Sequence, residues 1–226
     1  MMKLMKSVLY TLPLALILGM TIAGCTVTSE TTSSTSYEGE EFGPQELQQN
    51  GLAIMPIQSA QAVEGYRRPF GDEINKTAVT TLSDAEVVKW EESQTRINDA
   101  GLVETYREAI ESYAETSILD EGAVQKLGGA VEKRYLLVIN LAPPQTEKDI
   151  GYDPITGGTM TSETRSVSAF GKIWDAGEGD IVWEGVATTE VTTNDYTKAE
   201  GTTQSRAKAT AQALMRRIMG MSPQEE

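Results

Sequence analysis

The chain reads as an α/β protein: a mixed sheet with helices packed on it, ending in a β-hairpin and an amphipathic helix. Three observations predict this. Tyr135–Leu141 (YLLVINL) is apolar nearly throughout, the pattern of a central strand buried on both faces. Residues 163–174 and 180–193 are strand-like runs joined by Asp175-Ala176-Gly177-Glu178-Gly179-Asp180, which has the Asp and Gly content of a tight hairpin. Strand-like and helix-like segments alternate along the chain, and such an order packs helices over a sheet.

The elements follow in order. Gly51 opens the ordered part, and residues 52–57 (LAIMPI) form a short strand whose far end Pro56 places at an edge or outside the sheet. Residues 58–71 read as a loop containing Tyr66-Arg67-Arg68-Pro69-Phe70. Asp72 caps a helix with Ile74, Ala78 and Leu82 on its inner face. Val87, Val88 and Trp90 suggest a second short strand. Asn98-Asp99-Ala100-Gly101 opens a helix with Leu102, Tyr106, Ala109, Ile110 and Tyr113 on one stripe. Asp120 caps the next, carrying Val124, Leu127 and Val131, with Gly128-Gly129 weakening its end. Residues 142–161 form a Pro- and Gly-rich loop between the central strand and the hairpin. The last helix, 203–219, turns Ala207, Ala211, Leu214, Met215 and Ile218 inward and Arg206, Lys208, Arg216 and Arg217 outward. A frayed tail follows from Met221.

The N-terminus carries an address. Lys3 and Lys6 precede an apolar run at 8–18 that Pro13 interrupts and that is too short to span a bilayer, which takes about 20 apolar residues. It ends in Ile22-Ala23-Gly24-Cys25, which resembles the lipobox of bacterial prolipoproteins: an aliphatic residue, two small ones, then cysteine. That resemblance implies removal of residues 1–24 as a signal peptide, a diacylglyceryl thioether on Cys25 and acylation of the new amino group. Each buried methylene adds about 0.8 kcal/mol of membrane affinity, so two or three chains anchor where one would only visit. Cys25 is the only cysteine, so no disulfide forms within one chain. Thr26, where inner-membrane lipoproteins of two-membrane cells often carry Asp, points to the outer membrane, with the domain in the periplasm. Residues 26–49, rich in Ser, Thr, Glu and Gln, read with Cys25 as a disordered tether of roughly 25–30 Å, up to about 80 Å if pulled straight. The expected division is 1–24 signal, 25–49 lipidated Cys and tether, 50–220 a single α/β domain, and 221–226 a tail.

Charge narrows the partners. The signal holds two of the 19 basic residues and none of the 33 acidic ones, so the mature charge is 17 − 33 = −16. Such a surface repels nucleic acid, and no basic stripe offsets it. Histidine is absent from the sequence, which removes the commonest general base and transition-metal ligand. With Cys25 committed to lipid there is no thiolate nucleophile or zinc cluster. GxSxG, GxxxxGK[ST] and GxGxxG do not occur. The expectation is therefore no catalytic residues, no cofactor and no metal. Asp175, Glu178 and Asp180 crowd one turn and could hold calcium, but Asp and Gly are also what a tight turn needs. Glu184 and Glu190 are a possible acid/base pair on one strand. Trp174 and Trp183 read as packing residues rather than a sugar platform.

Tyr66, Arg67, Arg68 and Phe70 are the candidate partner contact, because they concentrate the side chains that dominate interface hot spots in an otherwise acidic chain. The alternative is that Phe70 staples the following helix. Two stretches resemble a family: residues 51–57 with Gly71-Asp72-Glu73-Ile74, and Leu127-Gly128, 134–138, Ile173-Trp174-Asp175 and 181–185. They look like the periplasmic domains of lipoproteins related to the curli secretion lipoprotein and the penicillin-binding-protein activator lipoprotein, which share a fold with the N-terminal domain of TolB. The resemblance implies a non-enzymatic accessory role beside another envelope protein. The alternatives are a subunit of a secretion or assembly complex, and a carboxylate-dependent cell-wall hydrolase. The late strands carry Arg165, Lys172, Glu184 and Glu190 with no clean apolar face, which argues against a pore.

Overall fold

The computed structural model describes residues 28–59, 64–152, 157–194 and 203–221. In chain order the elements are β1 (Thr28–Glu38), α1 (Pro44–Asn50), β2 (Leu52–Ile54), β3 (Gln58–Ser59), α2 (Glu64–Thr81), β4 (Val87–Val88), α3 (Trp90–Asp99), α4 (Val103–Thr116), α5 (Glu121–Val131), β5 (Tyr135–Leu141), β6 (Gln145–Tyr152), β7 (Thr159–Asp175), β8 (Asp180–Asn194) and α6 (Thr203–Ile218). They build one mixed sheet in the order β1-β8-β7-β5-β2-β4, with β3 added to β5 and β6 to β7. β2 runs parallel to β4 and β5, while β5, β7, β8 and β1 are successively antiparallel. The α/β class, the mixed sheet and the closing hairpin and helix are as the sequence predicts.

β5 lies at the centre because its side chains feed two cores. Tyr135, Leu137, Ile139 and Leu141 join Phe70, Ile74 and Leu82 of α2 and Ala207, Ala211, Leu214 and Met215 of α6. Leu136 and Val138 join Ile97 of α3, Tyr106 of α4 and Val124, Leu127 and Val131 of α5. The tryptophans divide the same way: Trp183 is buried under α2 and α6, Trp174 under α3–α5. Asp120 caps α5 as expected, its Oδ1 accepting from the Ala123 amide at 2.9 Å. Gly128 brings α5 against the β7–β8 turn so closely that a Cβ there would stand 2.2 Å from the Ala176 Cβ.

Several expectations are corrected. The stretch read as a disordered tether contains β1, which pairs with β8 from Thr28↔Thr192 to Glu38↔Trp183, and α1. β1 shows no apolar period because the side chains it turns toward α6 are hydroxyls. Thr31 Oγ1 lies 3.1 Å from Thr189 Oγ1, and Arg217 donates to Thr35 Oγ1 at 2.7 Å. The expected loop 142–161 is largely strand. β6 pairs with the first half of β7 from Gln145↔Ser166 to Tyr152↔Thr159, continuing the course of β5 past Pro143-Pro144. Trp90 opens α3 instead of ending a strand, and Asn98-Asp99 end α3, with Ala100-Gly101 turning the chain toward α4. Arg206, expected outside, is 5% exposed. Cys25, residues 1–24 read as a signal, and residues 222–226 lie outside the described residues. Among those described, no helix is long and apolar enough to cross a membrane.

Candidate functional site

The expected partner loop is the first turn and a half of α2. Phe70 is fully buried in the core, so it seats α2 and cannot meet a partner. Tyr66 is half-buried and its hydroxyl accepts a hydrogen bond from Arg206 Nη2 at 3.0 Å. Arg67 is half-buried and Arg68 exposed. The four residues therefore do not form one surface.

The hairpin turn is organised by a cation. Arg134 donates twice to Asp175, from Nε at 2.9 Å and Nη2 at 2.7 Å, and Nη2 reaches Glu178 at 3.3 Å. Asp175, 2% exposed, also accepts from the Gly177 amide at 2.8 Å. Asp180 accepts from the Ile181 amide. Arg134 thus takes the place a calcium ion would need, and among the described residues no cluster of three metal-ligating side chains occurs.

Glu184 and Glu190 share a face of β8 but are six residues apart. At about 3.3 Å per residue that is roughly 20 Å. Paired glycosidase carboxyls stand about 5–9.5 Å apart, so these two cannot act on one bond.

Glu184 instead belongs to a site that sequence spacing does not reveal. It faces Lys172 across the β7–β8 ladder, and Lys172 Nζ donates to its Oε1 at 2.6 Å. Tyr113 of α4 donates its hydroxyl to the same oxygen at 2.9 Å, and the Lys172 ammonium lies 3.9 Å from the Tyr113 ring centroid. Burial works against the Glu184 charge. Hydrogen bonds from Lys172 and Tyr113, with the Lys172 charge, outweigh it and hold the carboxyl below the usual carboxylate range.

Beside this triad a cavity of about 360 Å³ opens between α4 and the sheet, lined by Gln58, Ile110, Asn140, Phe170, Lys172 and Trp174 among others. Phe170 is 46% exposed, and the indole N–H of buried Trp174 has no hydrogen-bond partner among the described residues. Toward the N-terminal end of α4 lies a second hollow of about 280 Å³ that shares Gln58 and Ile110. Its wall includes Tyr106, whose hydroxyl donates to the Pro56 carbonyl at 2.7 Å and whose phenol burial pushes above its usual range. The two hollows make a groove along α4. Tyr113 reads in sequence as one more residue of an inward stripe and Lys172 as a solvated strand position. Only the fold brings them to Glu184.

No known family model matches the sequence, and no curated protein matches it. Solved structures similar to the chain include the PelC dodecamer from Paraburkholderia phytofirmans, at 10% identity over 87% of this chain and 100% of that one, with a TM-score of 0.43. Lipoprotein GNA1162 from Neisseria meningitidis is similar at 14% identity over 75% of this chain and 97% of that one, TM-score 0.36. The C-terminal domain of LpoB from Salmonella enterica is similar at 10% identity over 64% and 90%, TM-score 0.30.

Proposed function

We propose that the chain is a lipid-anchored module of the bacterial envelope that binds another envelope protein and performs no catalytic step of its own. The anchor is Cys25, the membrane the outer one, and the domain stands in the periplasm. The observation that carries the binding reading is the groove along α4. Its floor is apolar and aromatic, and its charged groups are committed to one another: Lys172 is held by Glu184, and Glu184 by Lys172 and Tyr113. A nucleophile or general base must be free to exchange a proton with a substrate. A salt-bridged pair beside an exposed Phe170 offers shape and apolar contact instead, the features of a docking pocket.

A photoreactive phenylalanine analogue at position 170, in intact cells, tests this. The expected result is one discrete adduct with another envelope protein, lost when Ile110→Glu fills the groove with charge. No adduct from 170, with a discrete one from position 68, would move the binding surface to α2. Release of peptidoglycan fragments by the purified domain would contradict the non-enzymatic reading.

A further inference from the structure

We propose that the free end of the β6–β7 hairpin, carrying Ile150 and Tyr152, rests in the headgroup layer of the membrane that holds Cys25. The inference builds on the anchoring reading above. Its basis is the length of chain between the anchor and the sheet. β1 begins at Thr28, so only Thr26 and Val27 separate it from Cys25. At most about 3.6 Å per residue, the lipidated residue lies within roughly 11 Å of Thr28.

The register then sets the level of everything else. Thr28 faces Thr192 on β8, Thr192 faces Thr164 on β7, and Thr164 faces Glu147 on β6. These four residues form one row across the sheet. β6 leaves that row in the direction opposite to β1, toward the anchor. Ile150 is three residues past it and Tyr152 five, about 10 and 17 Å at about 3.3 Å per residue. Cys25 is three residues before Thr28 in the sequence and within roughly 11 Å of it, so chain length keeps the anchor near the end of the sheet toward which β6 runs.

The chemistry of that end fits a lipid surface. Ile150 and Tyr152 alternate onto one face and are 76% and 71% exposed, the most exposed pair of large apolar side chains on any strand described. The last ionic contacts before the end are Lys148 and Arg165 with Glu163. Among the described residues of this end, 149–152 and 157–162, only Asp149 is charged, and it is acidic, so the surface suits zwitterionic rather than anionic headgroups. Tyrosine is enriched at the membrane–water interface, where its ring is buried and its hydroxyl stays wet. Among the described residues β6 pairs only with β7, so its outer edge keeps unpaired backbone groups that hydrocarbon would not tolerate. The end therefore stops in the headgroup layer and does not span the bilayer.

The test uses the full lipidated chain, extracted from membranes and reconstituted in phosphatidylcholine vesicles. Ile150→Cys, Tyr152→Cys and, beyond the opposite end of β7 in the β7–β8 turn, Glu178→Cys are each labelled with nitrobenzoxadiazole; acylated Cys25 offers no competing thiol. On vesicles the labels at 150 and 152 shift to the blue, and lipid with brominated acyl chains quenches them, while the label at 178 does neither. If the protein floats with the vesicles but labels 150 and 152 behave like 178, the anchor stands and the hairpin contact is wrong. If the protein does not float, the anchoring reading fails and this inference falls with it. A blue shift without vesicles, indifferent to brominated lipid, assigns the patch to a second copy of the chain and overturns the inference.

Discussion

Phe70 holds α2 on the sheet from a fully buried position between α2, β5 and the strands beyond. Phe70→Ala should cost about 3–5 kcal/mol, the range for removing a buried phenylalanine, and denaturant titration reads it directly. Gly128 sets two effects against each other. Replacing glycine inside a helix gains up to about 1 kcal/mol of propensity, whereas forcing side-chain atoms into a filled site costs about 1–3 kcal/mol. A Cβ at 2.2 Å from that of Ala176, with the Lys133 carbonyl 3.1 Å away on the other side, leaves no room to relax. The clash wins, and Gly128→Val should lower the melting temperature despite the better helix former. Glu184 gives a pH signature. Its folded pKa lies below the unfolded value of about 4.5, so its stabilisation is present above that value and is lost as pH falls through the folded pKa. Glu184→Gln should therefore cost about 1 kcal/mol near neutrality, and the difference from wild type should vanish in acid. A gap that persists unchanged in acid would show that the carboxylate charge is not what matters.

The elements legible in sequence are those whose burial leaves a period. β5 and the inner faces of α2, α4, α5 and α6 announce themselves because one or both sides are apolar. β1 and β6 do not. The residues of β6 are exposed throughout, and β1 meets its neighbours through hydroxyls, Thr31 against Thr189 of β8 and Thr35 against Arg217 of α6. Both are held by ladder hydrogen bonds to β8 and β7 rather than by buried area, so a hydrophobic pattern cannot find them, and Ser/Thr-rich sequence reads as disorder instead. The groove is illegible for another reason. Its triad joins Tyr113 to Glu184, 71 positions apart, and only sheet register brings Lys172 opposite. Arg206 shows a different failure: helical spacing puts it on the outer face, yet α2 covers it. Its Nε has no hydrogen-bond partner among the described residues, and Nη2 donates to Tyr66. Removing one partner of a buried charge costs more than replacing the charge by an apolar group of similar size. Tyr66→Phe should therefore destabilise the α2–α6 contact, while Arg206→Met should be neutral or stabilising; the reverse order in thermal melts would mean the guanidinium is solvated.

At the scale of the molecule, anchoring at Cys25 as proposed would let β1 turn a flexible suspension into a fixed stance. A tether of 24 residues would let the domain range tens of ångströms from the bilayer, whereas two residues would hold the β1 end of the sheet beside it. Lys172 and Glu184 are each eight residues from the Thr164–Thr192 row, so the groove stands about 26 Å farther along the sheet. The proposed anchor end and the groove are thus at opposite ends of the β7–β8 hairpin. All of this depends on the fate of Cys25, and intact-mass analysis of the protein extracted from membranes measures it most directly. The expected result is a chain that begins at Cys25 and carries a thioether-linked diacylglyceryl group and an amide-linked acyl chain, both lost in Cys25→Ser. A mature chain that retains Met1, or that carries a free thiol at Cys25, would contradict it.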